Sequence, residues 1–273
     1  MNSWNLIYTY IDKVAFEIFS IKIYWYGIAY ASALIVVLVG IKYFAKKDKY
    51  PLKDKDIDAF FIYAEIGIII GARLGYIIIY DTNTMYYLLH PLEIFNPFVN
   101  GKFVGISGMS YHGGVVGFIT GTILFAKRYK KSSLLLMDVV AVSLPLGYIF
   151  GRIGNFLNHE LIGKETTLKI GILVDDKLVH PSQLYEAFFE GFVIFIILFA
   201  IRRKVAFQGE LIGYYMLLYS IARFGVEFFR EADSQMGYFY GVSMGQILSF
   251  ITFIVAIAFL VVIRNKKIKK RQL

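Results

Sequence analysis

"LMDVVAVSLPLGYIFGRIGNFLNHELIG", residues 136–163, begins as an apolar run and ends in an arginine, two asparagines, a histidine and a glutamate set among glycines. A helix needs roughly 20 apolar residues to cross hydrocarbon, and runs of that kind recur along the chain. The 273 residues are 58% hydrophobic and 18% aromatic, with a mean hydropathy of +0.59, well above the apolar share of ordinary soluble domains. The pattern predicts helices at roughly 24–44, 57–80, 109–127, 136–157, 184–201, 210–229 and 243–263. The expected fold class is all-α: a polytopic membrane protein with seven transmembrane helices, forming a single membrane domain over residues 1–273. No internal repeat, low-complexity tract or long linker divides it.

The formal net charge is +9. A nucleic-acid partner would need that charge on one face of a soluble domain, whereas here it lies in short runs between apolar segments. One set of loops holds the lysines between 42 and 55, KRYKK at 127–131, RRK at 202–204 and the tail RNKKIKKRQL at 264–273; the opposite set holds isolated charges such as Lys13, Lys22, Lys164 and Arg230. Positive residues stay inside, so the N-terminus and segments 81–108, 158–183 and 230–242 are expected outside and the C-terminus inside. The first twenty residues lack the pattern of a cleavable signal. "NSWNLIYTYIDKVAFEIF" has a roughly helical rhythm of aromatics and charges, and is expected to lie along the interface. Cysteine is absent, so this chain offers no disulfide, thiolate metal site or cysteine nucleophile. Any thiol in its chemistry must arrive on a partner.

Three arginines fall within or at the outer ends of the spans: Arg73 in "GARLGY", Arg152 in "GRIGNF" and Arg223 in "YSIARFGVEFFRE". Charge at that depth faces a protein interior or wet cavity and takes a partner. Glu65, Glu160, Glu186, Glu190 and Glu227 are the acids at similar depth, and Glu227 sits one turn after Arg223. For Arg73 a strut and a catalytic role both stay open. Arg152, Asn155 and Asn158 recur every three residues toward one helical face, with Glu160 following, a donor cluster suited to phosphate oxygens. Gly163 permits turn conformations that other residues avoid. His112 in "YHGGVVG" is open to three readings: base, phosphate donor or helix-end residue. His90, His159 and His180 form no zinc pattern, and no serine sits in G-x-S-x-G. "HPSQLYEA" reads as a helix start with an acid in its first turn. Tyr26 in "WYG" reads as an interfacial aromatic. These residues point to an outward-opening cavity for an anionic, lipid-embedded group, and support an enzyme acting on a phospholipid headgroup or a transporter of an anionic lipid or solute.

"GRIGNFLNHELIG" resembles the signature G-R-x-G-N-F-x-N-x-E-x-x-G of the prolipoprotein diacylglyceryl transferases, with every fixed position filled. "WYG", "GARLGY", "SYHGG", "HPSQLYE", "RFGVEFFREAD" and "MGQILS" follow the family's order, so the resemblance covers nearly the whole chain. It implies a bacterial inner-membrane enzyme with a periplasmic N-terminus and a cytoplasmic C-terminus, its active site toward the periplasm, acting without a cofactor or metal. The implied partners are phosphatidylglycerol, preprolipoproteins carrying a lipobox cysteine, and the bilayer. The implied reaction transfers the diacylglyceryl group to the cysteine thiol, forming a thioether and releasing glycerol 1-phosphate, as the first step of lipoprotein maturation. By the same resemblance Arg152 binds the headgroup, supported by Asn155, Glu160 and Gly163. Arg223 and His112 match the family's positions associated with catalysis, where Arg223 is expected to stabilise the departing phosphate and His112 to accept the thiol proton, directly or through water; Tyr26, Tyr219 and Glu227 match further positions near the site, where Glu227 is expected to orient Arg223. Two features depart from the pattern: a short outward segment between spans four and five, and Ala232 where proline is common.

Overall fold

The computed structural model describes residues 2–19, 21–99, 102–103, 105–106, 108–231 and 238–266. Ala232, the middle of the 230–242 loop and the basic tail from 267 onward lie outside the described residues. In chain order the elements are α1 (Ile7–Tyr10), the hairpin β1 (Val14–Ile18) and β2 (Ile21–Tyr24), α2 (Trp25–Lys47), α3 (Asp54–Ile79), α4 (Thr84–Leu89), a 3₁₀ turn (Pro91–Phe95), β3 (Phe98–Val99), β4 (Lys102–Phe103), α5 (Tyr111–Tyr129) and α6 (Ser133–Leu157). Then follow β5 (Ile172–Val174), β6 (Lys177–Val179), α7 (Ser182–Glu186), a π-helical turn (Ala187–Val193), α8 (Ile194–Ile201), α9 (Glu210–Val226), β7 (Tyr238–Phe239), β8 (Val242–Ser243) and α10 (Met244–Lys266).

The chain is mostly helical, and every stretch read as a span contains helix. Among the described residues five helices are long and apolar enough to cross a membrane: α2, α3, α6, the continuous Ser182–Ile201 and α10. α5 and α9 are not among them; they run for 19 and 17 residues. Apolar side chains such as Ile62, Ile66 and Ile69 on α3 and Phe250, Ile251 and Ile254 on α10 stay exposed, leaving faces far too apolar for water that hydrocarbon would cover.

The mostly helical chain agrees with the all-α expectation, and among the described residues four short two-stranded antiparallel sheets accompany the helices. The N-terminal segment holds one of them. Among the described residues only Ile7–Tyr10 is helical there, and Val14–Ile18 pairs with Ile21–Tyr24, Glu17 opposite Lys22. Val14, Phe16 and Ile18 alternate with period two on one strand, and Ile21 and Ile23 on the other, a strand period that overrides the loose helical rhythm.

The chain divides into two compact units, residues 1–51 with 137–273 and residues 52–136. In the first, Phe44, Val142, Ile194, Leu198 and Leu211 form the core. A second cluster of Phe156, Ile172 and Val179 packs Trp4, Tyr8 and Leu184 around the signature stretch. Buried Asp138 accepts from the amides of Gly209 and Ile212 at 2.8 and 3.0 Å, satisfying donors at the start of α9 that no helical carbonyl reaches.

The second unit is built on a seam of glycines. Gly67, Gly71 and Gly75 of α3 face Gly113, Gly117 and Gly121 of α5, and a Cβ on any of them except Gly121 would strike backbone of the facing helix within this set; on Gly121 it would strike the carbonyl of Tyr63. Small residues four apart let two backbones touch where apolar burial gives no drive between helices in lipid. Toward the far end Phe60, Tyr63, Phe125 and Tyr129 replace the glycines with edge-to-face and stacked rings.

Candidate active site

α6 ends at Leu157, and the chain then doubles back. His159 and Leu161 take left-handed backbone conformations, with φ of 57° and 54°, and the Glu160 amide donates to the Asn155 carbonyl at 3.0 Å. That reversal returns the Glu160 side chain to the helix end, where Asn155 Nδ2 donates to its Oε2 at 3.4 Å and Asn158 bonds its other oxygen. Arg152 Nη1 in turn donates to Asn155 Oδ1 at 3.3 Å. The spacing of Arg152, Asn155 and Glu160 thus becomes a chain of contacts at one end of α6.

Gly163 serves a different purpose from the one its turn-forming freedom suggests: its φ is not positive. It bridges to Arg230, its amide donates to His180 O at 3.0 Å, and a Cβ would strike the carbonyls of His180 and Phe229. Close backbone approach, rather than a left-handed turn, demands glycine here.

Glu186 is the centre of the site. It is 0% exposed, its Oε2 lies 2.7 Å from Arg152 Nε, and its Oε1 accepts from Arg223 Nη1 at 2.8 Å and lies 3.5 Å from Arg230 Nε. Arg223 Nη2 pairs with Glu227 Oε2 at 2.8 Å, and Glu190 Oε1 lies 3.7 Å from Arg223 Nη1. Glu227 is held in turn by Ser243 Oγ, which donates to it at 3.0 Å from the end of β8, one residue before α10. The Tyr148 hydroxyl bonds Glu190, its ring lies under the Arg152 guanidinium at 4.7 Å, and the Tyr219 ring meets it edge-on at 6.0 Å. Buried charges persist when each has partners, and here one carboxylate fixes two guanidiniums at once. Two guanidiniums held on one carboxylate suit an incoming anion, because a guanidinium fork matches phosphate oxygens.

Arg152, Asn155, Glu160, Arg223, Glu227 and Tyr219 are therefore brought together within the first unit, with Gly163 in the backbone beside them. Tyr26 packs against the signature helix at Gly154, where an added Cβ would lie 3.5 Å from its ring. It is 41% exposed and lines an open, mostly apolar groove of about 670 Å³ that also touches Lys22 and Asn158. His112 belongs to the second unit, exposed in the first turn of α5 with its ring edge-on to Tyr111. Sequence reasoning missed the weight of Glu186, which it took as an acid in a helix start. Tyr148, Glu190 and Arg230 were not singled out as site residues. The one usable signal was that three arginines at membrane depth need anions, and Glu186 was among the acids at that depth.

Outside the spans, His159 stacks on Tyr8 at 3.9 Å, and burial, then Lys13, holds its imidazole below the ordinary histidine range. Trp4 Nε1 and Asn5 Nδ2 donate to the carbonyls of Ile170 and Gly171, both at 2.7 Å. The N-terminal segment is thereby tied to the signature loop.

The family model of prolipoprotein diacylglyceryl transferases matches residues 13–262. The chain is 54% identical over 269 residues to a Campylobacter jejuni protein named phosphatidylglycerol-prolipoprotein diacylglyceryl transferase, covering 98% of this chain and 99% of the relative. Proteins of the same name from Campylobacter lari and Wolinella succinogenes are also 54% identical, over 98% and 90% of this chain and 99% and 91% of theirs.

Proposed function

The chain belongs to the prolipoprotein diacylglyceryl transferase family, and from that premise we propose that it transfers the diacylglyceryl group of phosphatidylglycerol to the lipobox cysteine thiol of prolipoproteins. The observation that carries the reading is the pair of guanidiniums bridged by Glu186. Arg152, with Asn155 and Glu160, binds the headgroup: the guanidinium takes a phosphate oxygen and the carboxylate accepts from glycerol hydroxyls. Thiolate sulfur attacks the glyceryl carbon, the sulfur–carbon bond forms, and the carbon–oxygen bond to phosphate breaks with its electron pair leaving on oxygen. Arg223, aimed by Glu186 and Glu227, stabilises that oxygen. His112 accepts the thiol proton, directly or through water, and the products are a thioether and glycerol 1-phosphate. The absence of cysteine accords with a nucleophile that arrives on the substrate.

The two units act as one membrane-embedded domain with seven spans, α5 and α9 included, in the bacterial inner membrane. The N-terminus and the site face the periplasm, on the strength of the lysine and arginine runs in the opposite loops. The direct test is glycerol phosphate release from phosphatidylglycerol by the purified protein, with a lipobox peptide carrying cysteine or serine. Release is expected with cysteine only, falling at least about 100-fold in Arg152→Ala, since removing a donor to developing charge costs about that much. A folded wild-type protein that releases nothing would move the site to lipid transport, which leaves the lipid intact.

A further inference from the structure

Arg73 lies on α3, 6% exposed, outside the charge cluster. Its Nε donates to Ile94 O at 2.6 Å, Nη1 to Gly108 O at 3.2 Å and Nη2 to the Tyr87 hydroxyl at 3.4 Å. The guanidinium also lies 5.2 Å from the Tyr87 ring centroid and 5.9 Å from that of Tyr76. Each nitrogen thus holds a different point of the stretch joining α3 to α5. Gly108, at φ +71°, is left-handed, and a Cβ there would meet the Tyr76 ring and Arg73 itself. Two residues on, the Ser110 amide donates to the carbonyl of Ala72, the residue before Arg73, at 2.9 Å. The Ser110 side chain accepts from Gly113 N at 3.3 Å, capping α5. His112 falls between those two residues, and beneath it the glycine seam locks α5 against α3.

We propose that Arg73 is a positioning residue for His112: its three-way fork fixes the approach to α5, so that the cap at Ser110 and the histidine next to it stand in one place. A lysine keeps the charge but lacks the planar fork that serves three acceptors. The inference rests on the assignment of His112 as the proton acceptor, for which sub-ångström placement governs rate rather than lipid affinity.

The experiment is steady-state kinetics of the full-length protein in phosphatidylglycerol vesicles with a cysteine lipobox peptide. It compares wild type, Arg73→Lys, Tyr87→Phe, His112→Gln and both double variants with His112→Gln. Arg73→Lys is expected to lower kcat roughly 10- to 100-fold with lipid KM within about threefold, and Tyr87→Phe to act in the same sense by less. In the His112→Gln background each should cost under about twofold more, because residues acting through one another are not additive. Hydrogen exchange gives a readout independent of activity: the Ser110 and Gly113 amides should exchange at least about tenfold faster in Arg73→Lys. Losses that multiply in the double variants, a raised lipid KM with unchanged kcat, or unchanged exchange would each overturn the proposal. So would a fully active His112→Gln, which leaves the transferase reading standing. A folded wild type that releases no glycerol phosphate overturns the transferase reading instead, and the exchange rates still decide whether Arg73 holds the start of α5.

Discussion

Glu186 carries more of the site than any residue of the signature, because it meets Arg152 and Arg223 through separate oxygens while fully buried. Replacing it by glutamine keeps the shape and removes the anion, so both guanidiniums lose their common anchor. Breaking a buried pair costs about 3–5 kcal/mol. Glu186→Gln is therefore expected to lower the thermal midpoint and to cut glycerol phosphate release by about 100-fold or more, an outcome checked by a melt and the release assay side by side. An unchanged release rate would show that the arginines hold their places without it. The signature's own residues were legible because Arg152, Asn155 and Glu160 are close in sequence. Glu186 was not, because its partners come from α6 and α9, and an acid one turn into a helix looks ordinary.

The helix pair α3–α5 depends on backbone contact, and a single methyl tests it. Gly117→Ala would push a Cβ into the carbonyl of Gly67, and overpacking of this kind costs about 1–3 kcal/mol. The expected result is a lower melting temperature, with Gly114→Ala nearly neutral as the control because a Cβ there finds only ordinary contacts at 3.6 Å and beyond. The G-x-x-x-G spacing of 67, 71 and 75 against 113, 117 and 121 was present in the sequence, but which helix answers which is a property of the packed pair. The N-terminal segment offers a pH test. His159 is held below the ordinary histidine value near 6.5, so the docked state favours the neutral ring and the undocked state binds the extra proton. Docking is then fully favoured above that value and weakens as pH falls through it. Amide exchange over residues 4–10, corrected for intrinsic rates, is expected to quicken between pH 7 and pH 5, and His159→Phe, which cannot be protonated, to abolish the change.

At the scale of the whole molecule, the proposed orientation rests on the distribution of charge, and the lack of cysteine makes it simple to measure. Lys169→Cys and Lys204→Cys each introduce a unique thiol. In intact cells an impermeant maleimide is expected to label the first, and to reach the second only after permeabilisation. The opposite result would invert the topology. The sequence by itself determined the long apolar helices, the family and the local chain from Arg152 to Glu160, because hydrophobic runs and short-range spacing act within one stretch of backbone. Only the tertiary structure decided that Glu186 bridges two arginines, that Gly163 is required by backbone approach, that Val14–Ile18 pairs with Ile21–Tyr24, and that Arg73 donates to Ile94, Tyr87 and Gly108 between α3 and α5. Each of these depends on which atoms face one another across separate elements, where desolvation makes every unpaired charge or amide costly.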